Sequence, residues 1–148
     1  MTANDRVQAG FDVRPIRDYL KARIYAAGAP IFRQGDAVDG CYFIDAGEVR
    51  IEIETNAIDS DVVVTYMTAP AILGEVGLLD GMPRSASAVA HTDVRGRHLS
   101  SAALERMAHE RPRDFADVLR ALGRDAALKL RRSDAASDGA SGLRAARS

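Results

Sequence analysis

Between residues 30 and 98 apolar and polar positions alternate with a period of two, and Gly and Asp punctuate the pattern; on either side of this stretch the period is that of a helix. The clearest segment is Glu48 to Glu54, where Val49, Ile51 and Ile53 share one face and Glu48, Arg50, Glu52 and Glu54 share the other. Pro30 to Arg33, Cys41 to Ile44, Val62 to Met67, Ser87 to His91 and Val94 to His98 read as further short strands. Between them lie a Gln34-Gly35-Asp36 turn, an Asp45-Ala46-Gly47 hairpin with Gly47 expected at positive φ, a polar loop over residues 55–60 and a His91-Thr92-Asp93 turn. Short strands at regular spacing predict a small antiparallel roll or barrel.

Helical spacing occupies the two ends. Ile16, Tyr19 and Leu20 predict an amphipathic helix over Val13 to Arg23, with Pro15 in its first turn, where proline is tolerated. Ala103, Leu104, Met107 and Ala108 predict a second helix, interrupted at Arg111-Pro112. A third is expected over residues 113–132: Phe115, Val118, Leu119, Leu122, Ala126 and Leu130 form a stripe opposite Asp117, Arg120, Arg124 and Arg131. Ala121 and Leu128 lie off that stripe, and Gly123 costs about 1 kcal/mol relative to alanine. A second contact surface accounts for both; so does a helix packed on its own roll with scattered surface apolar residues. Residues 1–12 are expected to be a loose arm, 13–132 the folded domain and 133–148 a disordered tail. The fold class is mainly β with flanking helices.

Composition narrows the function. With 148 residues, 47% of them apolar, the chain suits one domain, and a net charge of −1 gives no reason to expect a nucleic-acid surface. The single Cys41 can form no internal disulfide and cannot by itself hold an iron–sulfur cluster or structural zinc; His91, His98 and His109 show no metal-ligand spacing and read as exposed or capping residues. Neither a Ser/His/Asp triad nor a cupin-like metal site has support in the pattern, so no enzyme, metal or cofactor is expected. No run of about 20 apolar residues is present and the first residues lack signal-peptide features, which predicts a cytoplasmic protein with no membrane span.

The remaining chemistry gathers in residues 74–87, Gly-Glu-Val-Gly-Leu-Leu-Asp-Gly-Met-Pro-Arg-Ser-Ala-Ser. The fork of Arg84 suits a phosphate, and small neighbours let backbone N–H groups approach the same anion. The Glu75 carboxylate, an acceptor only, suits sugar hydroxyls. The candidate ligand-binding set is Gly74, Glu75, Val76, Gly77, Arg84, Ser85, Ala86 and Ser87, with Leu79 and Val89 as apolar walls. A competing reading pairs Glu75 with Arg84 as a surface ion pair worth about 0–1 kcal/mol.

Gly-Glu-x-Gly-Leu followed by Pro-Arg-Ser-Ala-Ser, with Arg84 nine positions after Glu75, resembles the phosphate-binding cassette of cyclic-nucleotide-binding domains. These are shared by bacterial catabolite activators, regulatory subunits of cyclic-AMP-dependent protein kinase and cyclic-nucleotide-gated channels. Phe32-x-x-Gly35-Asp36 and Tyr42-x-Ile44-x-x-Gly47-x-Val49 resemble the β-roll signatures of the same family. Pro70-Ala71 and Leu73 depart from it, standing where the family has Gly-Asp and an aromatic residue. The resemblance implies a jelly-roll-like antiparallel β-roll that binds a cyclic nucleotide, cyclic AMP favoured over cyclic GMP, and acts as a regulatory sensor. Arg84 and Ser85 would hold the phosphate, Glu75 the ribose 2′-hydroxyl, and Ser87 would reach the base. The last helix would cover the base, through Arg124 or Lys129, and pair two subunits. No helix-turn-helix follows, so the implied output is a protein partner or a fused effector rather than direct nucleic-acid contact. The alternative from another class is a degenerate roll that has lost nucleotide binding and serves as an interaction or dimerisation module.

Overall fold

In the computed structural model, residues 11–55 and 61–147 are described, the side chains of 133–147 excepted. A 3-10 turn, Arg14–Tyr19, leads into β1 (Leu20–Tyr25), β2 (Pro30–Phe32), β3 (Gly40–Ala46), β4 (Glu48–Glu54), β5 (Val62–Thr68) and β6 (Ala71–Leu73). Then come α1 (Glu75–Asp80), β7 (Ser87–Ala90), β8 (Val94–Ser100), α2 (Ser101–Glu110) and α3 (Pro112–Arg147). The strands form two antiparallel four-stranded sheets, ordered β1-β8-β3-β6 and β2-β7-β4-β5. The mainly-β roll with flanking helices is thus present.

Strand β3 joins the two apolar cores. Tyr42 and Ile44 face the roll interior with Val49, Leu73, Ala88 and Val94. Cys41 and Phe43 face the other way, onto Ile16, Ile72, Leu99, Met107, Val118 and Leu122, the cluster beneath the helices. A strand covered on both sides has no reason to alternate in sequence, and the run Gly40 to Ile44 is buried throughout. Burial among these residues pushes the Cys41 thiol far above its ordinary range, leaving it inert.

The predicted helix over Val13 to Arg23 is not formed. It ends as a 3-10 turn at Tyr19, and Leu20 to Tyr25 pair with β8 in the register Leu20↔Leu99 to Tyr25↔Val94. A ladder of hydrogen bonds to β8 outweighs a short apolar spacing that suits either structure. Strand β6 was not anticipated; it pairs with β3 through Ala71, Ile72 and Leu73. The expected Gly47 conformation is present, at φ 99°. A Cβ there would collide with the Asp93 carbonyl.

At the ends, residues 1–10 of the expected arm lie outside the described residues, while Phe11 stacks on Phe43 with centroids 6.2 Å apart. The expected tail differs too: the helical backbone of α3 continues to Arg147. Ala135, Ala136, Ala140, Leu143, Ala145 and Ala146 favour helix without needing a partner face. Ser100 caps α2, its Oγ accepting from the Ala103 N–H at 3.0 Å. The α3 stripe holds as far as Leu122, which is fully buried with Val118, whereas Leu130 is exposed and the off-stripe Ala121 is buried. Leu130 is exposed although its neighbour Lys129 still reaches the roll at the Ile72 carbonyl.

Candidate functional site

The Gly74–Ser87 segment leaves the sheet at β6, makes the short α1 and returns as β7. Glycines with left-handed backbone bound α1, Gly74 at φ 77° and Gly81 at φ 73°. At Gly74 a side chain would run into the Arg84 guanidinium, and at Gly77 into Val38. Gly74 and Gly77 are therefore required by packing inside the segment.

Arg84 is buried at 3% exposure. Its Nη1 donates to the Gly74 carbonyl at 3.0 Å, and Nη2 donates to the Gly40 carbonyl at 2.8 Å and Asp39 Oδ1 at 3.1 Å. The guanidinium lies over the Phe32 ring, 4.2 Å from its centroid. Its Nε is buried with no acceptor among the described residues. The backbone is clasped equally firmly: the Arg84 N–H donates to the Asp36 carbonyl and the Gly35 N–H to the Arg84 carbonyl, both at 2.8 Å. The Phe32-x-x-Gly35-Asp36 signature thus serves to position Arg84. Among the described residues its only anionic partner, Asp39, is mostly in water, with 68% of the side chain exposed, so the guanidinium retains a positive field.

Glu75, 1% exposed, does not pair with Arg84. Lys129 on α3 donates to both its oxygens, at 2.7 and 3.0 Å, and to the Ile72 carbonyl at 2.6 Å. Asp125, one turn earlier on α3, lies 2.9 Å from the same ammonium as an ion pair lacking hydrogen-bond alignment. Two buried carboxylates share one cation, leaving this end of the site negative. Burial pushes the Glu75 carboxyl up to about 7; Lys129 opposes that rise, and Asp125 reinforces it. The site is polarised: a cation seeking acceptors at Arg84, and carboxylates at Glu75, with Gly74 between them.

The other expected residues divide. Val76 is exposed and Gly77 half-buried on α1; Ser85 is exposed and Ala86 half-buried just after Arg84. The Ser87 hydroxyl instead accepts from the Gln34 N–H at 2.9 Å, tying the turn after β2 to β7. Of the expected walls, Leu79 is exposed and Val89 half-buried. Lys129 holds Glu75, and Arg124 lines a separate cavity of about 300 Å³ with Phe11, Pro15, Ile16, Asp117 and Arg120. Sequence reasoning did not find Asp39 or the clasp at Asp36, because each acts across a separation that no periodicity records, nor Asp125, whose i,i+4 spacing to Lys129 is a helical one but gains its role only through the distant Glu75. His98, read as exposed or capping, is buried against Tyr42, with ring centroids 4.7 Å apart, and lies 3.6 Å from Asp39. Burial lowers its pKa, so it is a neutral packing residue of β8. Among the described residues no group of His, Cys, Asp and Glu could hold a metal ion, and no helix is long and apolar enough to cross a membrane.

A family model described as the cyclic nucleotide-binding domain matches residues 22–111. The chain is 35% identical over 75 residues to a cAMP-dependent protein kinase type II regulatory subunit of Drosophila melanogaster, covering 51% of this chain and 19% of that protein. It is 37% identical over 76 residues to a cyclic AMP receptor protein of Thermus thermophilus, covering 51% and 35%. Among solved structures, a cyclic nucleotide-binding domain from Methylobacillus flagellatus KT superposes with a TM-score of 0.77 at 27% identity, covering 86% of this chain and 73% of that one. The chain therefore spans about a third or less of the length of these two curated relatives.

Proposed function

Because the chain belongs to the cyclic nucleotide-binding domain family, we propose that it binds a cyclic nucleotide at the Arg84 and Glu75 cassette, cyclic AMP in preference to cyclic GMP, and acts as a regulatory sensor. The observation that carries this reading is Arg84: a buried guanidinium over Phe32, held by two neutral carbonyls and the solvent-exposed Asp39, with an Nε–H that lacks an acceptor among the described residues. A buried donor left unpaired is costly, and a phosphodiester oxygen is the acceptor that would best satisfy it. The names of both curated relatives point to cyclic AMP as the nucleotide.

In this reading the phosphate sits at Arg84 with Ser85 and Ala86, and the ribose lies toward Gly74 and Glu75, beside Val76 and Gly77. The ligand meets Glu75 already held by Lys129, so the nucleotide and α3 share one carboxylate. A ribose hydroxyl that takes up an acceptor site on Glu75 weakens the hold of Lys129 or reorients it, and α3 responds. That is a coupling between ligand and helix with a defined atomic contact. Output through a protein partner or fused effector belongs to the same proposal.

The degenerate-roll reading draws on one observation: both cassette charges have partners within the chain, Lys129 for Glu75 and Asp39 for Arg84. Thermal unfolding with cyclic AMP, cyclic GMP and 5′-AMP separates the two. A true ligand at 100 times its Kd stabilises by about 2.7 kcal/mol. A rise in Tm with cyclic AMP, smaller with cyclic GMP and absent with 5′-AMP, is expected; no rise with either cyclic nucleotide leaves the degenerate roll.

A further inference from the structure

The two sheets have four edges, and three carry a device against pairing with another chain. Strand β1 bears Lys21 and Arg23. Strand β2 is three residues long and begins at Pro30, and β6 is three residues long, wholly buried and preceded by Pro70. Strand β5 has none of these. It runs seven residues, Val-Val-Val-Thr-Tyr-Met-Thr, with no charge or proline, and its ladder to β4 shows no bulge. Val62, Val63, Val64 and Tyr66 stand 46%, 53%, 38% and 50% exposed.

The register shows which backbone groups this edge offers. The Thr55 N–H donates to the Asp61 carbonyl and the Ala69 N–H to the Gly47 carbonyl, bracketing the pairs Glu48↔Thr68 to Glu54↔Val62. Bonded and unbonded pairs alternate along an antiparallel ladder. Val63, Thr65 and Met67 therefore direct their N–H and C=O groups at β4. Those of Val62, Val64, Tyr66 and Thr68 point away from it.

We infer that β5 is the site at which two copies of this chain pair, antiparallel across a twofold axis at Thr65, to join their β2-β7-β4-β5 sheets into one. This strand is complementary to itself. In that register Val64 faces Tyr66 of the second copy and Val62 faces its Thr68, as hydrogen-bonded pairs. A β-branched residue opposite an aromatic one is a favourable cross-strand pair, and nothing charged meets its like. Thr65 meets the second copy's Thr65 as the close, unbonded pair on the axis, a Thr–Thr contact of the favourable kind. A twofold isologous contact is also the commonest form of homo-oligomer. The inference does not depend on ligand binding.

The register supplies the test. In the full chain, Thr65→Lys and Thr65→Glu each place like charges face to face on the axis, at a side chain exposed in the single copy. Analytical ultracentrifugation of the wild-type chain is expected to show a dimer. Each variant alone should dissociate at least about tenfold more readily, and an equimolar mixture should regain association through the Lys–Glu pair. Circular-dichroism melting confirms that both variants fold, and Val64→Pro, which removes an outward N–H that β4 does not use, should also abolish the dimer. A wild-type chain that stays monomeric, a dimer indifferent to both Thr65 variants, or variants that dissociate without rescue on mixing would each overturn the assignment. Dissociation by substitutions on α3 alone would place the contact there instead.

Discussion

The cassette around α1 and the β4–β5 hairpin solve opposite problems. In the cassette, polar groups are buried and secured from far along the chain: Lys129 reaches Glu75 across 54 positions, and Asp39 reaches Arg84 across 45. In the hairpin, apolar groups stand in water although every pair of the β4–β5 ladder is regular. The first region cannot form without the tertiary fold around it, whereas the second is locally complete and externally unfinished. Sites for small ligands are expected where burial strengthens electrostatics, and sites for other chains where edges and apolar surface remain open.

The comparison breaks most decisively at Arg84. Arg84→Ala should weaken cyclic AMP binding by roughly ten- to hundred-fold or more, since charge-assisted hydrogen bonds contribute about 1.5–3 kcal/mol each. Isothermal calorimetry that returns normal affinity would remove this residue from the site.

Next comes the fastening of α3. Lys129→Met leaves Glu75 and Asp125 buried without their cation, and denaturant unfolding should show a loss of about 1–3 kcal/mol. Because neutralising the partner relieves the uncompensated charge, Glu75→Gln in the same chain should restore part of that stability. If Lys129→Met costs no more than Lys21→Met on the exposed face of β1, the fastening has no energetic weight.

Glu75→Gln alone should reduce cyclic AMP affinity by about tenfold while hardly changing the affinity for the 2′-deoxy analogue, which lacks the hydroxyl that Glu75 would accept. Equal losses for the two ligands would move the ribose away from Glu75. The same carboxyl sets a pH dependence. Its folded-state pKa is raised to about 7, so the folded chain keeps a proton that the unfolded chain releases. This group therefore favours the folded state at low pH, and its contribution is lost as the pH rises through about 7. Ligand binding runs the other way: the ionised form accepts the hydroxyl, so affinity should fall several-fold as the pH drops below about 7. A flat affinity profile between pH 6 and 8 would mean that Glu75 does not meet the ligand.

The smallest effect belongs to the hairpin. Val63→Thr, at a half-exposed position of β5, should change monomer stability by no more than about 0.5 kcal/mol in chemical denaturation. A larger loss would show that the face is already covered within a single chain.

The alternation of Glu48 to Glu54, the β-branched run at Val62 and the glycine-bounded cassette were legible in the sequence because each is a local regularity, and local regularities are what a linear reading measures. The resemblance carried the same segment to its candidate chemistry. The chain could not show by pattern that Leu20 to Tyr25 would join β8 instead of continuing a helix, since that choice was made by hydrogen bonds to a strand about seventy to eighty positions away. Nor could it show that Lys129 would meet Glu75, or that Asp36 and Asp39 would hold Arg84. The charged contacts exist because the fold removes water from around Glu75, Lys129 and Arg84, and a buried charge then takes whatever partner the packing brings within reach; the Asp36 clasp is a backbone hydrogen bond that the same packing brings together.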